Sequence, residues 1–193
     1  MLSYDESLKI LKETNALLEG HFILSSGLHS KQYVQCAKLL SHPNKAEAIC
    51  SSLCEKIKKV FNKIDIILSP AIGGIVVGYE LGRQLKVETI FAERLDQKLV
   101  LRRGFKIPES SNVLIVEDVI TTGKSALECS ELIVANKSTL VGYACIIDRS
   151  NSKSLIKDKI VSQIKLIIDT YENKELPDDL KKIQPTKPGS RNL

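Results

Sequence analysis

Residues 113–125 constrain this chain more than any other stretch. Val113, Leu114, Ile115 and Val116 form an aliphatic run with no polar face, which suits a strand covered on both sides, as in a parallel sheet. Glu117 and Asp118 follow directly, at the strand end where open α/β sheets bind ligands. Thr121 and Thr122 are helix-capping residue types, and Gly123 lets backbone approach a ligand closely. Beyond them, Ala126, Cys129 and Ile133 recur at helical spacing. The free N–H groups at the start of that helix make an anion site next to two carboxylates. Such acids repel a bare phosphate but suit ribose hydroxyls or a magnesium-bridged ligand. A ribose phosphate is the expected occupant. The Gly-Lys-Ser at 123–125 is not the tail of a P-loop, because Asp118 stands where that motif requires glycine. The bland alternative is an ordinary strand–turn–helix with exposed acids.

The rest of the chain alternates in the same way. Strands are predicted at 64–68, 87–92, 113–116, 140–147 and 164–168. Helices are predicted at 3–19, from Asn44 onward, at 75–85 and at 124–133. Ser3 and Glu6 have capping-box spacing, and Asn44 with Glu47 is expected to cap the second helix. Lys56, Lys58 and Lys59 read as its solvated face. The pattern predicts an α/β protein with a parallel sheet of about five strands flanked by helices. Residues 1–41 form an N-terminal helix and a small Ser- and Gly-rich hood, 42–175 the α/β core, and 176–193 a tail holding three of the six prolines.

Three further segments carry chemistry. Ser69, Pro70, Ala71, Ile72, Gly73 and Gly74 lie between a predicted strand and helix, so backbone N–H groups can converge on an anion. A tight turn of no further consequence is the competing reading. From Arg94 to Lys106 there are five basic residues and one acidic one. That segment can close over an anionic substrate and exclude water, or stand as an exposed basic hairpin. Arg149 follows a predicted strand on the ligand side. Its guanidinium can take a carboxylate bidentately, or simply pair with Asp148.

Composition narrows the setting. Five cysteines without a CxxC pair fit buried thiols in a reducing compartment. His21, His29 and His42 have no metal-binding spacing. With no apolar run of membrane length and no secretory pattern, a soluble cytoplasmic protein is expected. A net charge of +5 with 5% aromatic residues gives little reason to expect nucleic acid.

The hydrophobic run, the Glu117-Asp118 pair and the Thr-Gly turn resemble the 5-phosphoribosyl-1-pyrophosphate (PRPP) motif of type I phosphoribosyltransferases. The segment 20–30, the 69–74 loop and Asp148-Arg149 narrow the resemblance to orotate phosphoribosyltransferases, over about residues 20–150 in order. The resemblance implies PRPP binding by Glu117, Asp118, Val119, Ile120, Thr121, Thr122, Gly123, Lys124 and Ser125, with Ile72, Gly73, Gly74 and Arg94. It implies orotate contacts from Thr121, Arg149 and Tyr33, and catalytic roles for Glu117, Asp118, Lys98 and Arg103. Mg2+ is expected to arrive on the substrate, with Asp118 the side chain placed to touch it. A homodimer is implied, with a flexible loop near residues 94–106 reaching the neighbouring subunit's site. Ser25 departs from the family lysine, and the basic segment lacks the family's histidine and longer Gly-rich loop. The implied reaction is transfer of phosphoribosyl from PRPP to N1 of orotate in pyrimidine biosynthesis. Transfer to another base, or a nucleotide-sensing RNA regulator on the same fold, are the alternatives.

Overall fold

In the computed structural model, which describes residues 1–24, 26–150 and 154–188, the capping box at the N-terminus forms as its spacing dictates. Ser3 N–H donates to Glu6 Oε2 at 2.8 Å, and Glu6 N–H to Ser3 Oγ at 3.2 Å, starting α1 (Tyr4–Glu13). The helix is shorter than the 3–19 expected. Asn15 turns left-handed at φ 53°, and the following residues leave for strand β1 (Leu17–Ile23). Leu18 continues the helical stripe of Leu8 and Leu11 in sequence, but cross-strand pairing with β2 (His29–Val34) claims it.

After α2 (Cys36–Leu40) comes α3 (Pro43–Lys58). Its first residue is Pro43, whose fixed φ suits a helix start; Asn44 therefore lies inside the first turn and caps nothing. Glu47 instead pairs with Arg83 at 2.9 Å. Lys56 is not merely solvated either: its ammonium donates to the Gln163 carbonyl at 2.6 Å.

The core follows as β3 (Ile66–Pro70), α4 (Gly73–Leu85), β4 (Glu88–Leu95), β5 (Lys98–Leu101), β6 (Asn112–Ile120), α5 (Lys124–Ala135), β7 (Thr139–Asp148) and β8 (Ile160–Lys165). Strand order is β5-β4-β3-β6-β7-β8, parallel except for the β4–β5 hairpin. The sheet thus has six strands where about five were expected, since the basic segment folds back as an antiparallel edge. The last strand lies some four residues earlier than predicted, where Val161 and Ile164 point into the core.

The chain leaves β3 towards β4 through α4, and leaves β6 in the opposite direction towards β7 through α5. Right-handed crossovers running opposite ways place the two helices on opposite faces. Leu114 and Val116 pack with Leu11, Ile49, Leu53, Val77 and Leu81 on one face. Val113 and Ile115 pack with Ala126, Cys129 and Ile133 on the other. Both faces of β6 are dry, which explains its uninterrupted aliphatic run. All five cysteines are buried and free. The β3–β6 boundary is the topological switch point, where α/β sheets open a crevice.

A second sheet, β1-β2-β9 with β9 at Thr170–Tyr171, forms the hood. The described part of the tail wraps it. After α6 (Asp178–Lys181), Thr186 exchanges backbone hydrogen bonds with His21 and Ile23, at 2.8 Å each. Leu180 is buried beneath it. Among the described residues no helix is long and apolar enough to cross a membrane.

Candidate active site

The pairing of β3 with β6 stops at Leu68 and Ile115, while β6 continues with β7 as far as Ile120. Glu117 and Asp118 therefore lie within a strand rather than at its end, on the stretch freed from β3. The 71–74 turn arrives at the same place. A Cβ built on Gly73 would lie 2.7 Å from Asp118 Oδ1, so the glycine backbone rests directly against that carboxylate. The Ala71–Ile72 peptide bond is cis, and Gly73 and Gly74 open α4, where the first N–H groups have no helical partner. Anion donors and an acid thus share one point. A Gly73→Ala variant should displace the Asp118 carboxylate and raise the KM for a sugar-phosphate donor on the order of tenfold to a hundredfold. Steady-state kinetics beside a melting curve would check this, and an unchanged KM would detach the turn from the site.

The acids are strongly perturbed. Burial, and secondarily the neighbouring Asp118, pushes Glu117 up to about 8. Burial also raises Asp118, opposed in part by the Val119 N–H that donates to its Oδ1 at 2.9 Å. Burial therefore favours the neutral form of Glu117. A partner with positive character, or hydroxyls bearing a cation, would draw the pair to its charged form. Perturbed carboxylates in a crevice mark functional sites.

Glu117, Val119, Ile120, Thr121, Thr122, Gly123, Lys124 and Ser125 line a cleft of about 70 Å³ at the start of α5. Gly123 takes φ 78° at the N-cap and offers no side chain to close the helix end. The first α5 N–H groups face the cleft region, with only a long 3.4 Å contact from Lys124 N–H to Thr122 Oγ1. Ile120 is buried, so only its backbone is available to a ligand. A roomier cavity of about 390 Å³ lies between hood and tail. It is away from the strand tips, and its Lys31 and Asp179 already pair at 2.6 Å.

Arg149 leaves the end of β7, its N–H held by the Ile120 carbonyl at 2.8 Å. It does not pair with Asp148, whose Oδ1 accepts from Ser150 N–H at 2.8 Å. The Arg149 Nε is buried without a hydrogen-bond partner. Burial lowers the guanidinium's pKa, and Cys36 and Tyr33 lie near it. Tyr33 packs on Phe22 at 5.8 Å between centroids. The Cys36 thiol reaches the Asp118 carbonyl at 3.9 Å. The hood strand thus delivers Tyr33 to the neighbourhood of Arg149, and Cys36 at the start of α2 meets the Asp118 backbone. Sequence spacing gave no sign that Cys36 would bridge hood and core. Ser25 lies outside the described residues.

The basic hairpin divides its cations. Arg103 makes a bidentate pair with Glu93, at 2.8 and 3.1 Å, and lies over the Phe91 ring. Arg94 is held by Glu128 of α5 at 2.9 Å and by the Gln97 carbonyl. Lys98 and Arg102 have no ion-pair partner among the described residues. The hairpin turns tightly through Asp96 and Gln97, both at positive φ. The hairpin is tied to α5 through Arg94 and Glu128.

The phosphoribosyl transferase domain model matches residues 36–180. An orotate phosphoribosyltransferase of Caldicellulosiruptor bescii is 47% identical over 98% of this chain and 99% of its own length. One from Chlorobaculum parvum is 44% identical over 99% and 98%. Among solved structures, orotate phosphoribosyltransferase from Aeropyrum pernix superposes with TM-score 0.69 at 24% identity, covering 82% of this chain and 92% of that one. Adenine phosphoribosyltransferase from Thermoanaerobacter pseudethanolicus gives 0.61 at 17%, covering 70% and 88%. At those identities the superpositions speak to the fold alone, and base preference has to come from the nearer relatives and the site. Identity above 40% along almost the whole of both chains means that this protein belongs to the phosphoribosyl transferase domain family, in its orotate phosphoribosyltransferase group.

Proposed function

We propose that this chain transfers the 5-phosphoribosyl group of PRPP to N1 of orotate, giving orotidine 5′-monophosphate and pyrophosphate, a step of pyrimidine nucleotide synthesis. The observation that carries the reading is the contact of Gly73 with the Asp118 carboxylate, because one sugar donor can then touch both the pyrophosphate turn and the acids. The α5 start with Thr121, Thr122, Gly123, Lys124 and Ser125 takes the 5-phosphate. Glu117 and Asp118 hold the ribose hydroxyls. As pyrophosphate leaves, C1 becomes cation-like and orotate N1 bonds to it. The acids stabilise that positive charge, and the turn of Ile72, Gly73 and Gly74 receives the departing negative charge.

Arg149 supports orotate over an uncarboxylated base. A part-buried guanidinium near Tyr33, its Nε buried and unpartnered, suits a ligand that brings a carboxylate. Among the described residues no group of three metal-ligating side chains exists. Asp118, with Glu117 beside it, is the side chain that would meet a Mg2+ ion carried in on PRPP. Bound there, the ion would neutralise the pyrophosphate.

Lys98 and Arg102 supply the hairpin cations free to meet pyrophosphate, while Arg103 must first leave Glu93, and Arg94 leave Glu128. On this reading residues 42–175 bind PRPP, and the hood of 1–41 closes the base side. The working unit is a homodimer, supported by the exposed Val76 and Tyr79 of α4, at 49% and 66% exposure, and its setting is the cytoplasm. Orotate depletion at fixed PRPP and Mg2+, with adenine as the control base, tests the assignment. Orotate-dependent pyrophosphate release is expected, and its absence would overturn it.

A further inference from the structure

The phosphate turn is held from outside by a segment distant in sequence. Leu155 N–H donates to the Thr122 carbonyl at 2.9 Å. The next side chain, Ile156, is 6% exposed and belongs to the same apolar cluster as Ala126 in the first turn of α5. A Cβ built on Gly123 would fall 2.6 Å from both Ile156 Cδ1 and Cγ1. The turn backbone is therefore seated on the isoleucine, through the face that glycine leaves bare. Ser154 Oγ accepts from Ile156 N–H at 3.1 Å and fixes the local backbone. Leu155 itself is largely exposed, so its backbone is what serves the turn.

We propose that Ile156 is a positioning residue for the 5-phosphate: it transmits the rigid core to Gly123 and so sets where the α5 N–H groups point. This rests on the reading that residues 121–125 take the phosphate of PRPP. A turn at φ 78° with no side-chain cap has few restraints of its own. Donors aimed at an anion lose strength steeply once their angle drifts. Packing from Ile156 and the Leu155 hydrogen bond together supply what the turn lacks.

The test compares wild type with Ile156→Ala, Ile156→Leu and Ile156→Val. Ribose 5-phosphate binding is followed by calorimetry, with the KM for PRPP, the KM for orotate and a melting curve measured beside it. Ile156→Ala should weaken ribose 5-phosphate and PRPP by about tenfold while orotate moves less than about twofold, one decade being one modest interaction. Ile156→Val, which keeps Cγ1, should restore phosphate affinity to within about twofold. If Ile156→Ala lowers the melting temperature but leaves ribose 5-phosphate affinity unchanged, the residue only fills space and the proposal fails. Equal losses for PRPP and orotate also overturn it. Should the alanine variant not fold, Ile156→Leu decides: it fills the core but moves the branch away from Gly123, and wild-type phosphate affinity in it would refute the role. A wild type that binds ribose 5-phosphate without consuming orotate removes the orotate reading yet leaves these affinities readable. One that binds no ribose 5-phosphate overturns both.

Discussion

Replacing Glu117 by Gln together with Asp118 by Asn should lower turnover on the order of a hundredfold to a thousandfold, the scale of losing preorganised charge at a transition state. Both amides keep the shape of the side chains and can still meet a hydroxyl. What disappears is the negative charge facing C1 as pyrophosphate departs. The melting temperature should not fall in parallel. Between its ordinary value of 4.5 and about 8, Glu117 is protonated in the folded protein and ionised in the unfolded chain. The folded state binds the extra proton there, so this residue's contribution to stability declines as pH rises through that window. Glu117→Gln alone should therefore match wild type below pH 4.5, and its relative stability should grow through the window by up to about 1.4 kcal/mol per pH unit. Above pH 8 the gain should level off. Turnover that survives the double substitution would remove the acids from the mechanism. A stability difference independent of pH would show that Glu117 is not buried as described.

Arg149→Ala should raise the KM for orotate on the order of a hundredfold, since a charge-assisted pair contributes roughly 1.5–3 kcal/mol and each 1.4 kcal/mol is a decade. The KM for PRPP should stay within about twofold. Arg149→Lys should recover only part of the loss, because an ammonium cannot reproduce the planar fork. Stability should hold or rise. The wild-type guanidinium is part-buried, with an unpartnered Nε and a pKa lowered by burial, so removing it relieves an uncompensated charge. Function and stability then move in opposite directions at one residue, which a merely structural arginine would not show. An unaltered orotate dependence would contradict the assignment.

Much of this was written locally. The run from Val113 to Val116 is apolar on both faces because α4 and α5 cover both faces of β6, and sequence period reports such burial directly. The Ser3–Glu6 box is likewise satisfied within one turn. Where local signals competed with pairing across the chain, pairing won. Leu18 extends the helical stripe of Leu8 and Leu11, yet β2 takes it into a sheet. Asn44 is a capping residue type, but Pro43 had already begun the helix.

The cations of the hairpin show the boundary most clearly. Their number and spacing mark a basic segment, and nothing in that spacing says that Arg103 will face Glu93 while Arg94 will face Glu128. The first pairing follows from the hairpin's register and the second from how α5 lies across the sheet. The sequence alone determined the strand–helix alternation of the parallel core, the acid pair and the two glycine turns, because each depends on residues within a few positions of one another. Tertiary structure alone decided that Gly73 rests on Asp118, that Tyr33 comes to Arg149, and that Ile156 supports Gly123. Those contacts join segments tens of residues apart, and they exist only once crossover handedness and strand register have brought the segments to one edge.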